Sequence, residues 1–306
     1  MALTTTATYA PLFRNTIPFP ISNNPATLLE TAEAAFLRSQ ITAASRFYPH
    51  EKFTAVSVGR GQVAGATKKS FDWKLNRVVG FGMHGPVSEE NLDEIEHIAR
   101  DVVGLRAPLI DLCPFAHSSA WDILKRRGYY DYQDVNVHFM PLQESSELSY
   151  GELIGKYLQD DIEITRVSTE QDRCSFIQSS LAGFEVESSR GEETELLRLL
   201  AHCATVQPDT RTYLAKIDGQ IAGSAGMAFL PTPQGPVAQL HISSTVPELR
   251  GRGVQGALLR ARLADAKASG IETAVVNTRP GSASVRNVGR AGFRLAYVRG
   301  TWTKDV

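Results

Sequence analysis

The sequence is poor in cysteine, in long apolar runs and in net charge, and each shortage closes a class of function. Cys113, Cys174 and Cys203 are the three cysteines among 306 residues. They lie far apart without C-x-x-C spacing, which argues against a disulfide framework and a structural zinc site. Each reads as a small buried apolar residue. No run approaches the ~18 uninterrupted apolar residues of a membrane span. The opening MALTTTATYAPLFRN has no basic segment followed by an apolar one, so no signal peptide is expected and the chain reads as cytoplasmic. Its 32 basic and 33 acidic residues leave a net charge of −1, which gives no support to nucleic-acid binding.

Within these bounds the chain carries an order of elements that recurs. Residues 1–26, with Pro11, Pro18, Pro20 and Pro25, read as an irregular arm. A first unit spans 27–145. It opens on a helix with Leu29, Ala32 and Phe36 at helical spacing, and includes a helix from Ser88 that Gly104 should stop. A polar stretch, 146–160, reads as a linker. The second unit, 161–306, holds a strong hairpin around a Gly219-Gln220 turn and a long helix after residue 253. Both units end on a strand, a short polar helix, a Gly-aromatic pair (Gly128-Tyr129; Gly292-Phe293) and a last strand, a weak repeat with a period near ~160 residues.

The chemistry concentrates at Arg250-Gly251-Arg252-Gly253-Val254-Gln255-Gly256. The glycines spell G-x-G-x-x-G, the fingerprint of a dinucleotide site. That reading needs a large parallel sheet after the loop and a carboxylate at the end of the next strand. About 55 residues remain, and the next strand ends at Asn277-Thr278-Arg279 without one, so NAD is rejected. The loop instead joins a strand to an apolar-striped helix (Val254, Ala257, Leu258, Ala261, Ala264). Free backbone N–H groups at the positive end of a helix, glycines that permit close approach, and Arg250 and Arg252 suit a pyrophosphate.

This segment resembles the acetyl-CoA-binding loop of the GCN5-related N-acetyltransferase (GNAT) superfamily, Gln/Arg-x-x-Gly-x-Gly/Ala. Arg250 and Gly253 match, and Gln255 stands where Gly or Ala is usual. RNVGRAGF (286–293) is similar to the closing helix and Gly-Phe of the family, so the resemblance covers roughly 161–306. It implies an α/β fold of two tandem GNAT-like domains, each a mixed, mostly antiparallel twisted sheet flanked by helices. It also implies acetyl-CoA as co-substrate and no metal. The corresponding first-unit stretch, VVGFGMHGPVSEENL, has Gly80, Gly82 and Gly85 but no arginine. Glu89 and Glu90 at its helix start would repel a pyrophosphate. The first unit is therefore expected to be a degenerate copy that shapes the acceptor site, an unrelated α/β domain being the alternative.

The resemblance also implies roles. A backbone N–H near Thr245 or Val246 would polarise the thioester. His241, Ser243 and Thr245 should share one face of a strand by the period of two, and His241 is the member that titrates near neutrality. A hydrogen-bonded sheet histidine, or a water chain as base, are the alternatives. The family's tyrosine acid falls on Val288; Tyr297 is the substitute, a structural sheet tyrosine the competing reading. Asn277 would meet the pantetheine arm, Ser284 and Asn287 coenzyme A, with helix capping or a turn role as the competing reading of each. The function expected is direct acetyl transfer from acetyl-CoA to an amine of a small molecule. The coenzyme would lie in a V-shaped split between the strand of His241 and the strand ending at Asn277. A non-catalytic acyl-CoA-binding protein, and a non-acetyl reaction such as decarboxylation on the same scaffold, are the other readings. Acceptor, acyl length and oligomeric state, a homodimer included, stay open.

Overall fold

The computed structural model describes residues 25–59, 61–67, 71, 74–142, 161–185 and 192–305. The arm at 1–24 and the linker expected at 146–160 lie outside the described residues. The first half runs α1 (Ala26–Phe47), β1 (Phe53–Val58), β2 (Gly61–Ala66), β3 (Arg77–Val79), α2 (Glu89–His97), β4 (Leu109–Leu112), α3 (Ser118–Arg126) and β5 (Tyr130–Pro141). The second runs β6 (Ile162–Arg166), α4 (Glu170–Glu185), α5 (Glu192–Val206), β7 (Thr210–Ile217), β8 (Gln220–Leu230) and β9 (Val237–Thr245). It ends with α6 (Val254–Ala268), β10 (Thr273–Thr278), α7 (Ala283–Arg290) and β11 (Arg294–Thr303). No described helix is long and apolar enough to cross a membrane.

Local chemistry accounts for many of these bounds. Pro25 sits at the N-cap of α1, whose Leu29, Ala32, Phe36, Leu37, Ile41 and Ala44 form the buried stripe. Ser88 and Asn91 close a capping box at the start of α2. That helix widens to a π-turn over Ile98–Val103 and ends at Gly104, left-handed at φ 79°. The β7–β8 turn corrects the expected Gly219-Gln220: Ile217 pairs with Gln220, so Asp218 and Gly219 turn the chain. Their φ values of 50° and 75° fit a type I′ hairpin. Cys174 is likewise exposed rather than buried, unlike Cys113 and Cys203.

The two halves do not form two separate sheets. Among the described residues there is one 11-stranded sheet in the order β1-β2-β3-β4-β11-β5-β10-β9-β8-β7-β6. Each half contributes one parallel pair, β3 with β4 and β9 with β10. Between them the last strands of the halves are exchanged. The first half's β5 pairs antiparallel with β10, from Thr273↔Pro141 to Thr278↔Asn136, and the second half's β11 pairs with β4. β5 and β11 pair with each other along almost their whole length. Neither half could complete its sheet alone.

Helix α1 lies over this junction, and its underside is charged where apolar residues would be expected. Tyr297 donates to Glu30 Oε1 at 2.7 Å and Arg299 Nη1 pairs with the same oxygen at 3.1 Å. Arg77 bridges Glu33, at 2.5 Å, and Asp111. Thr301 donates to Asp111 at 2.7 Å, and Asn277 to Glu33 at 2.9 Å. Glu30, Glu33, Asp111 and Arg299 are each under 5% exposed. Burial raises the carboxyl of Glu33, but Arg77 and Arg299 outweigh it and hold it below its ordinary range. Asp111 is lowered against burial by the same two arginines. Removing one partner from a buried network strands the remaining charges, a cost of roughly 3–5 kcal/mol. Arg299→Leu should therefore lower unfolding stability by about that amount in urea titration. A loss below ~1 kcal/mol, the scale of an exposed pair, would show that the network does not secure the exchanged strands.

Candidate functional site

The site is made by a fault in β9. Its parallel pairing with β10 runs from Thr273↔Val237 to Val276↔Leu240 and stops there. At that point the register of β9 on β8 also shifts: Gly226 faces His241, but Ser224 faces Ser244. The extra residue is Ile242, at φ 41°. A β-branched side chain with positive φ is a strained conformation, and a bulge of this kind bends a strand away from its neighbour. Beyond it β9 stays on β8, while β10 continues to Thr278 without it. The two strands open into a split.

The bulge corrects the expected alignment of His241, Ser243 and Thr245. His241 faces α1, with its ring 4.7 Å from that of Phe36. Ser243 and Thr245 face α6, where both bond Gln255. The inserted residue flips the side-chain alternation, so the three do not share a face. Burial, reinforced by the guanidinium of Arg262, pushes His241 down to about 3. Its Nε2 is enclosed and unpartnered. An imidazole so disposed is neutral near pH 7 and is a poor acceptor of an ammonium proton.

Tyr297 is also misplaced for its expected role. It is buried on β11, which β5 separates from β10, so it stands about 10 Å, two strand spacings, from the nearer wall of the split. Burial and the carboxylate of Glu30 push its phenol well above the ordinary range. It is a structural tyrosine. Val288 is buried in the core between α6, α7 and the sheet. Val246 is excluded as a carbonyl donor, because its N–H is spent on Ala222 at 2.9 Å. The alternation of antiparallel bonds then directs the N–H groups of Thr245 and Ser243 away from β8, toward the open side.

The glycine loop closes one end of the split. Pro247–Leu249 form a 3-10 turn, after which Gly251 and Gly253 both take φ 80°, open to glycine and strained for other residues. Arg250 ties the loop down: it donates to Gly183 O at 2.8 Å and to Thr245 O at 3.4 Å. It is a strut as well as a charge. Gly183 lets α4 approach β9, since a Cβ there would lie 2.4 Å from that of Ser244. Arg252 pairs with Asp161 at 3.2 Å on the surface. Val254 is buried and starts α6. From Gly251 to Gly256 no backbone N–H has an acceptor among the described residues. Asn277, at the end of β10, has Oδ1 enclosed and unpartnered. Ser284 is exposed and Asn287 half-buried on α7, which follows β10.

In the corresponding loop of the first half, three N–H groups are bonded within that half. Met83 N bonds Gly80 O, Val87 N bonds Ser119 Oγ, and Ser88 N bonds Asn91 Oδ1. Glu89, at the start of α2, pairs with Arg126 at 2.6 Å and Arg127 at 3.2 Å. No group of three or more metal-ligating side chains occurs among the described residues.

Residues 175–293 match the acetyltransferase (GNAT) family model. Among curated proteins, none matches the sequence. Solved structures share the architecture over most of the chain. One is a GCN5-related N-acetyltransferase from Kribbella flavida, with TM-score 0.58 and 14% identity over 89% of this chain and 95% of that one. Another is a tandem GNAT protein of the clavulanic acid biosynthesis pathway, with TM-score 0.58 and 13% identity over 92% and 94%. A functionally unknown conserved protein from Staphylococcus epidermidis has TM-score 0.54 and 10% identity over 83% and 93%. At such identities the likeness is one of fold.

Sequence reasoning missed Glu33, which reaches Asn277 from α1, and the group formed by Gln255, Ser243 and Arg262. The depressed His241 carries a consequence for stability. Its ordinary value is 6.5 and its folded value is lower, so the unfolded chain binds the proton first and stability falls as pH drops below 6.5. His241→Gln should flatten the fall in Tm between pH 7 and about pH 5. An unchanged acid limb would mean that His241 is not held neutral.

Proposed function

Since residues 175–293 match the GNAT family model, we propose that the protein is an acyl-CoA-dependent N-acetyltransferase acting on the amine of a small molecule. The observation that supports this most strongly is the run of unaccepted N–H groups from Gly251 to Gly256 at the positive end of α6. It lies beside the margin of β9 that β10 leaves unpaired. A pyrophosphate fits the first feature, and the extended amide-bearing arm of acetyl-CoA fits the second. The first half has no arginine in its loop and places Glu89 at the start of its helix, which disfavours a pyrophosphate there.

The chemistry follows from what faces the split. The N–H groups of Ser243 and Thr245 polarise the thioester carbonyl and stabilise the oxyanion that develops there. The amine nitrogen attacks the carbonyl carbon, the C–S bond breaks, and the coenzyme leaves as a thiolate with that electron pair. The amine proton passes to water, since His241 is held neutral with its Nε2 enclosed over Gly226. Asn277 Oδ1 lies unpartnered within the opposite wall. Helix α1 covers the foot of the split, with Phe36 on His241 and Glu33 on Asn277. That cover favours a small acceptor over a protein terminus.

Calorimetry with acetyl-CoA tests the reading. Wild type should bind, and Gly253→Glu, which forces a side chain into the left-handed position and adds an anion, should weaken binding at least ~100-fold. Equal affinity in the variant would remove the loop from the site, and no binding by wild type would remove the reading. Binding without release of free thiol from acetyl-CoA, across a panel of amines, would favour the non-catalytic binder.

A further inference from the structure

Arg262 is 2% exposed, and it projects from α6 against the bulge of β9. Its three hydrogen bonds go to neutral groups: Nε to Leu258 O at 3.0 Å, Nη1 to Gly226 O at 3.1 Å and Nη2 to Ser243 Oγ at 3.4 Å. No carboxylate pairs with it among the described residues. Burial draws its pKa down to about 10, which still leaves it cationic at neutral pH. The other ionisable groups that act on it or feel it are Tyr213 and His241, and neither is an anion near pH 7. An enclosed guanidinium without a counter-charge is costly. Gly226 O could have been satisfied by a neutral donor.

The bonds around Arg262 have a fixed direction. Arginine only donates, so Ser243 Oγ accepts from it and passes its own proton to Gln255 Oε1 at 2.7 Å. Gln255 Nε2 then donates to Thr245 Oγ1 at 2.8 Å. The proton of the Thr245 hydroxyl has no acceptor among the described residues. The chain thus starts at a buried cation and runs behind the two residues whose N–H groups face the split. No tyrosine occupies this region to donate to the leaving group: Val288 is in the core and Tyr297 is bound to Glu30.

We propose that Arg262 is a positioning residue which, through Ser243 and Gln255, sets a positive potential at the split and stabilises the anion formed there. That anion is first the oxygen of the carbonyl whose carbon the amine attacks, then the sulfur that departs with the C–S electron pair and takes a proton from water. The proposal rests on the acetyltransferase reading.

The test uses free coenzyme A bound to the whole protein and follows its thiolate by ultraviolet absorbance as pH is raised. Wild type should hold the bound thiol below its value in free coenzyme A. Arg262→Met, which keeps the volume, and Arg262→Gln, which keeps a donor for Gly226 O, should both raise it by about one pH unit, tenfold in thiolate population. Affinity for neutral-thiol coenzyme A should change less than about threefold, and the Tm of Arg262→Met should not fall, since the uncompensated charge is gone. An identical titration in wild type and Arg262→Met would overturn the proposal. So would restoration of the wild-type titration by Arg262→Gln, which would make the side chain a hydrogen-bond donor only. Failure of wild type to bind coenzyme A would instead fail the acetyltransferase reading itself.

Discussion

The architecture of the site hangs on one backbone residue. If Ile242 took an ordinary extended conformation, β9 would pair with β10 past Leu240 and the sheet would be closed. No margin of N–H groups would face an opening, and His241 would lie on the same side as Ser243 and Thr245. Holding a β-branched residue at φ 41° costs of order 1–3 kcal/mol. The surroundings hold it from both faces. Gly226 leaves room for the His241 ring on one face, and Gln255 bonds Ser243 and Thr245 on the other. The serines at 180, 224 and 244 and the carbonyl of Ser179 fasten the strand to α4 beyond the bulge.

Exchange of the last strands gives the first half a part in the split. β5 forms the outer support of β10, and so of one wall of the split. Helix α1 carries Glu33 to Asn277 and Phe36 to His241, so the foot of the split is built from both halves. The ion network beneath α1 joins β3, β4 and β11 to that helix. Buried charge is a weak source of stability but a demanding one in geometry, because any other register would leave a carboxylate or guanidinium unpaired. That suits a junction at which two similar strands must take different places.

Much of this was legible, in proportion to how local its cause is. The glycine loop, the capped start of α2 and its stop at Gly104 are set by residues within one turn, and the sequence names them. Ile242 could not be read, since β-branched residues are the least expected at positive φ. Alternation along β9 was therefore carried through a bulge that reverses it, and His241 was placed on the wrong face. β5 and β11 are both alternating strands of similar length. Their exchange depends on which core each meets under α1, a long-range choice. Arg262 stands four residues from Leu258 and from Ala266 on the buried stripe of α6, a place where an arginine is seldom expected.

The central claim is that coenzyme A occupies the second-half loop and split and not the first-half loop. Amide hydrogen exchange with and without coenzyme A tests it at the groups concerned. The account predicts slowed exchange at residues 251–256 and at Ser243 and Thr245, with residues 80–88 unchanged. Protection confined to residues 80–88, or none at 251–256 while coenzyme A is bound, would contradict it.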